Sequence, residues 1–177
     1  MYKNQQYIKL PVHNMLPGKH EYRFHIGKEF FSLIENSEFD DGDIIVDIIA
    51  ERYSNYININ SFLDGELKVI CDRCLDEFMI PIEGENRLSI RITDDIPEYN
   101  EEDSETEEDI MYINTDEEES DLTMYIYESI YLALPIQRLH ADDENGESTC
   151  NPDMLKYLNT TGNHTDNSPF AILKNKI

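Results

Sequence analysis

Turn signals at short intervals constrain this chain more than any other feature of its sequence. Pro17-Gly18, Asp41-Gly42 and Asp64-Gly65 separate runs in which polar and apolar residues alternate. Period-two alternation buries one face of a strand, and connections this short suit antiparallel neighbours rather than βαβ units. The pattern predicts strands over residues 7–12, 20–26, 43–50, 53–62, 66–70, 75–82 and 87–92, with Ile110-Met111-Tyr112-Ile113 as a returning strand. Helical segments are expected at 28–35, where Phe30, Phe31, Leu33 and Ile34 share a side, and at 121–134. The second helix is opened by Asp121 as N-cap, stopped by Pro135, and striped with Leu122, Tyr125, Ile126, Ser129, Ile130, Ala133 and Leu134. A third, short helix starts at Asn151-Pro152-Asp153 and runs through Leu158. The expected fold class is α+β: an antiparallel β-sheet meander or partial barrel with a few packed helices.

A chain of 177 residues is long enough for one domain with a true core. Residues 1–158 are expected to form a single α+β domain containing an acidic loop at about 94–121. Residues 159–177 read as a flexible tail, a polar stretch with a glycine ending in the apolar-basic Pro169-Phe170-Ala171-Ile172-Leu173-Lys174. No apolar run approaches the ~20 residues that span a bilayer, and the N-terminus lacks a signal-peptide core, so the expected location is the cytoplasm.

The net charge is −24, and its placement is lopsided. From Ile92 to Gln137 there is no Lys, Arg or His, while sixteen Asp and Glu residues fall there. Such a field repels phosphate backbones and attracts basic proteins. The plainer reading is a solvated loop that aids solubility.

Two of the three cysteines stand in Cys71-Asp72-Arg73-Cys74, and the third, Cys150, follows His140 by ten residues. Three thiols and an imidazole suit tetrahedral zinc, and C-x2-C at a tight turn lets both thiolates reach one ion. The expected metal ligands are Cys71, Cys74, His140 and Cys150, holding a structural zinc, with Arg73 offsetting thiolate charge. Inert thiols are one alternative, and a solvent-facing His140 is another. A redox pair would need a helix N-terminus and a depressed thiol pKa, whereas Asp72, Asp76 and Glu77 should raise it and Leu75 onward looks like strand. Asp142-Asp143-Glu144 matches no calcium loop and reads as solvated.

The segment Val69-Ile70-Cys71-Asp72-Arg73-Cys74-Leu75 resembles the YceD family, the large-ribosomal-RNA accumulation proteins. Tyr127-Glu128-Ser129-Ile130-Tyr131-Leu132-Ala133-Leu134-Pro135 is similar to that family's second signature, a helix ending in L-x-L-P. Arg138, His140, Cys150 and Asn151-Pro152-Asp153-Met154-Leu155 resemble its Bacteroidetes-like form. The ending Ser168 to Lys174 is similar to a D-P-x-W-x-x-L-K tail, with serine for the acid and phenylalanine for the tryptophan. Many relatives carry further cysteines after the L-P element; here only Cys150 follows, which makes His140 the natural fourth ligand.

The resemblance implies a role in large-subunit ribosomal RNA accumulation during ribosome assembly. The chain has no G-x-S-x-G, glycine-rich phosphate loop or H-E-x-x-H, so an enzyme is not expected, nor a small-molecule substrate or a membrane partner. Two readings remain. The first is a non-catalytic factor whose acidic surface engages a basic ribosomal protein or assembly factor. The alternative is direct RNA contact through the metal knuckle and Lys68, Arg73, Arg87 and Arg91.

Overall fold

Alternation in the sequence becomes alternation of burial in the strands. The computed structural model describes residues 7–97 and 109–160. The middle of the acidic stretch (98–108), most of the expected tail linker and the apolar-basic ending (169–174) lie outside the described residues. In chain order the elements are β1 (Lys9–Pro11), β2 (Gly18–Ile26), α1 (Lys28–Phe31), β3 (Gly42–Arg52), β4 (Tyr56–Ile70) and β5 (Glu77–Ile92). They continue with β6 (Asp109–Ile113), β7 (Glu119–Asp121), α2 (Thr123–Leu132) and α3 (Pro152–Thr160). The described residues fall into two compact units. One draws on Met1–Lys68 and Met79–Pro135, the other on Val69–Phe78 and Ile136–Ile177.

The first unit is built on an open five-stranded sheet in the order β2-β3-β4-β5-β6, beside a two-stranded β1-β7 pair. β2–β3 and β3–β4 are antiparallel, so the α+β class with a mainly antiparallel sheet holds. The sheet is not closed into a barrel. Its buried face comes from Ile44, Val46, Ile48 and Ala50 on β3, Ile57, Ile59 and Leu63 on β4, and Leu88 and Ile90 on β5. The helix stripe is as expected: Leu122, Ile126 and Ile130 are fully buried and Ser129 nearly so. Burial of such side chains contributes about 1.5–3 kcal/mol each.

The first unit departs from the sequence reading in six places. Asp64-Gly65 makes no turn; β4 runs straight through it, with Gly65 paired to Ile44. The two strands expected over 75–82 and 87–92 are one strand, β5. The returning strand β6 exists but pairs parallel to β5, Leu88 opposite Asp109 and Ile92 opposite Ile113, so the meander is not antiparallel throughout. The acidic stretch also contains β7, where Ser120 is buried opposite Leu10 of β1. The first helix stops at Phe31, leaving Leu33 and Ile34 half-buried in the turns beyond it. The N-cap of α2 is Leu122 rather than Asp121, although the Asp121 carboxylate still accepts the Thr123 N–H at 2.9 Å. Among the described residues no helix is long and apolar enough to cross a membrane.

Candidate metal centre

Three short backbone devices in the second unit bring four ligand-type side chains together. The first is the turn after β4. Leu75 N–H donates to the Cys71 carbonyl at 3.0 Å, Cys71 N–H to the Asp76 carbonyl at 2.9 Å, and Arg73 N–H points at Cys71 Sγ at 3.4 Å. That curl sets Cys71 and Cys74 on one side of the turn. It also puts Leu75 at φ 64°, a left-handed conformation that costs a non-glycine residue roughly 1–2 kcal/mol. Leu75 was expected to open a strand; it is instead the turn's last residue, and β5 starts at Glu77.

The second device is a hairpin-like loop. Asp142 bridges Ser148, Asp143 N–H donates to the Glu147 carbonyl at 2.8 Å, and Gly146 N–H returns to the Asp143 carbonyl at 2.9 Å. The Asp143 carboxylate accepts the Asn145 and Glu147 N–H groups at 2.8 Å each, which holds it below the usual carboxylate range. The Asp142-Asp143-Glu144 cluster is thus loop architecture. Outside the loop, Thr149 Oγ1 donates to the Ala141 carbonyl at 2.6 Å. The loop doubles the chain back so that residues 140 and 150 meet.

The third device is the start of α3. Asn151 Oδ1 accepts the Asp153 N–H at 3.0 Å, with Pro152 at the first helical position. The Asn151 side-chain amide donates to Asp76 at 3.1 Å, anchoring the helix to the cysteine turn. Asp72 does likewise for the segment before His140. Its carboxylate accepts the Arg138 N–H at 2.7 Å and pairs with the guanidinium at 3.4 Å, while Asp72 N–H donates to the Arg138 carbonyl at 2.8 Å.

The result is a cluster whose four ligand atoms all lie within 4.8 Å of one another: Cys71, Cys74 and Cys150 sulfurs and His140 Nδ1. Cys71 Sγ stands 3.7 Å from Cys150 Sγ, and His140 Nδ1 stands 3.5 Å from Cys74 Sγ and 3.6 Å from Cys150 Sγ. The three cysteines are buried, with no disulfide among them. A tetrahedral ion with metal–sulfur bonds of about 2.3 Å and a metal–nitrogen bond of about 2.1 Å has S···S edges of about 3.8 Å and S···N edges of about 3.6 Å. The four side chains therefore have the spacing to hold one metal ion. His140 does not face solvent alone; its ring packs at 4.3 Å on Phe78.

The electrostatics favour thiolate at Cys71. Burial raises its pKa, but the N–H groups of Cys74, Arg73 and His140, with the His140 ring, outweigh burial and hold the thiol at about 6. The elevation expected from Asp72, Asp76 and Glu77 does not arise, since burial alone opposes the thiolate at Cys71 and no carboxylate acts on it appreciably. At Cys150 a Ser148 hydrogen bond lowers the pKa, yet burial and the Cys71 and Cys74 sulfurs push it above the ordinary value. Arg73 reaches Ser148 Oγ at 2.7 Å, and that oxygen also accepts the Cys150 N–H at 3.3 Å. Ser148, Thr149 and Asp143 were not legible as supports, since each acts only through loop geometry.

The family model of the large ribosomal RNA subunit accumulation protein YceD matches residues 59–175, well over half of the chain. The chain belongs to the YceD family. The match contains all four clustered side chains and begins within β4. No curated protein and no solved structure matched the chain. The family's description ties it to a ribosome-related role, that of an accumulation factor.

The curl at Cys71–Leu75 yields a direct prediction. Leu75 is 65% exposed, so its side chain contributes little packing. Leu75→Gly should relieve the left-handed strain and raise stability by about 0.5–1 kcal/mol, after the larger entropy that glycine adds to the unfolded chain. Chemical denaturation of both proteins at equal metal loading is the check; a loss of stability would show that the turn is not strained.

Proposed function

We propose that this protein is a non-catalytic factor supporting large-subunit ribosomal RNA accumulation. In this reading it works in the cytoplasm beside the assembling ribosome, carries a structural zinc on Cys71, Cys74, His140 and Cys150, and binds a basic ribosomal or assembly protein. The family match supports the ribosomal role. The three edges of the Cys3His cluster at 3.5–3.7 Å support zinc, which prefers this donor set and, in structural sites, four closed ligands.

Two observations favour a basic protein partner over RNA. The acids of the described part of the cation-free stretch, Asp94, Asp95, Asp109, Asp116 to Glu119, Asp121 and Glu128, are all exposed. The basic residues of the RNA reading have intramolecular engagements: Lys68 with Asp40, Arg73 with Ser148, Arg87 with Glu85, and Arg91 over the Tyr56 ring.

The test is capture of purified large-subunit ribosomal proteins and, separately, ribosomal RNA by the immobilised protein at low and moderate salt. Selective capture of basic proteins, fading as salt rises, is the expected result. Retention of RNA with no protein capture would replace this reading by the direct-contact one. Depletion in cells should lower mature large-subunit RNA relative to small-subunit RNA; unchanged subunit profiles would count against the ribosomal role itself.

A further inference from the structure

β3 sends every second side chain into the core, and Ile44, Val46, Ile48 and Ala50 are all fully buried. The next position in that series is Arg52, paired with the fully buried Ile57 of β4. An aliphatic side chain suits such a slot. A guanidinium, which has only donors to offer, needs acceptors there. Arg52 Nη1 is buried and has no hydrogen-bond partner among the described residues. Leaving a buried charged donor unpaired is costly, so Arg52 calls for an acceptor beyond those the described residues supply.

Arg52 lines a cleft of about 320 Å3 at this end of the sheet. His13, Ser54 and Asn55 add further donors to its wall, and Val12 and Ile92 supply an apolar side. Thr115 and Glu117 also line it, but both are occupied. The Thr115 hydroxyl is bound to Asp94 at 2.5 Å, and Glu117 Oε1 accepts the Asn114 N–H and side-chain amide at 3.3 Å each. The cleft thus presents one inward-set cation and several donors against a single acid, Glu117, one of whose oxygens is held by Asn114. It lies within the size range of small-molecule sites.

We propose that this cleft is an oxyanion site, in which Arg52 receives a phosphate or carboxylate head group and His13, Ser54 and Asn55 add hydrogen bonds. A planar guanidinium fits either group in a two-point contact. The volume exceeds that of a bare anion, so the head group can be carried on a larger molecule. The site rests on the first unit alone and is independent of the ribosomal reading and of the metal.

The experiment titrates the full-length protein with inorganic phosphate and, separately, with acetate, at ionic strength held constant with chloride. Calorimetry and the 15N side-chain resonance of Arg52 are read together. Saturable binding of one anion per chain that moves the Arg52 resonance is expected. Arg52→Met should weaken it about tenfold or more. Lys28→Met, at an exposed position on α1, should leave it unchanged. Tighter saturation by phosphate would identify a phosphoryl ligand, and the reverse a carboxylate. A response equal to that of chloride, or an Arg52 resonance that stays fixed throughout, would overturn the proposal and leave water as the guanidinium's partner. The resonance is followed in the unmodified protein, so this outcome is readable even if Arg52→Met does not fold.

Discussion

Cys74→Ser is expected to abolish the proposed zinc binding and unfold the second unit while the central sheet stays protected. Among the described residues, the buried cluster of that unit consists of Cys71, Cys74 and Cys150, with Phe78, Leu139, Met154 and Leu155 only partly buried around it. So small an apolar cluster cannot offset the entropy of ordering the chain, and units of this size need a staple. Structural zinc supplies on the order of 10 kcal/mol or more, so the proposed ion would be the main source of order here. Elemental analysis should give one zinc per wild-type chain and far less in the variant. Hydrogen exchange should rise across 69–78 and 136–157 but not in β3, whose core-facing residues are buried independently of the centre. Protein purified without zinc, with three titratable thiols and unchanged protection, would refute the centre.

Gly65→Ala should be among the most damaging single-methyl changes in the chain. A β-carbon at Gly65 would collide with the Asp43 carbonyl oxygen and lie 2.7 Å from Ile44 Cα. Both obstacles are backbone atoms of the neighbouring β3, held by the ladder in which Ile44 faces Gly65, so neither can rotate away. The backbone angle of +158° adds strain for any L side chain. The strands must separate locally or the register must break. A loss of about 3 kcal/mol or more follows from overpacking and strain combined. For a chain of this size that lowers the melting temperature by roughly 6–12 °C. A denaturation midpoint within error of wild type would mean that β3 and β4 do not approach as described.

The same glycine shows where sequence reading stops. Asp64-Gly65 carries the residues of a turn, and local pattern cannot distinguish a glycine needed for a bend from one needed for a close neighbour. Gly84, in the polar stretch that split β5 into two expected strands, likewise marks no turn, although a β-carbon there would meet the Ala133 methyl group only at an ordinary 3.4 Å. The β1–β7 pair and the parallel setting of β6 were illegible because they join residues far apart in the chain. By contrast α2, α3 and the inward face of β3 were legible, because periodicity, caps and burial all act over a few residues. The four side chains that cluster were legible as a group by type and spacing. What brings His140 to Cys150, the Asp143 turn with Ser148 and Thr149 behind it, was not, since those residues have no distinctive chemistry until the loop closes.

The division of the chain has a thermodynamic corollary. The second unit takes its residues from two separate stretches, and everything from Met79 to Pro135 is strung between them. While the second unit remains intact, that stretch is a tether fixed at both ends, and if it melts it gains only the freedom of a closed ring. For a ring of this length the forfeited chain entropy is worth about 4 kcal/mol at room temperature. An ion holding the second unit together would then discourage complete melting of β6, β7 and α2 through the chain alone.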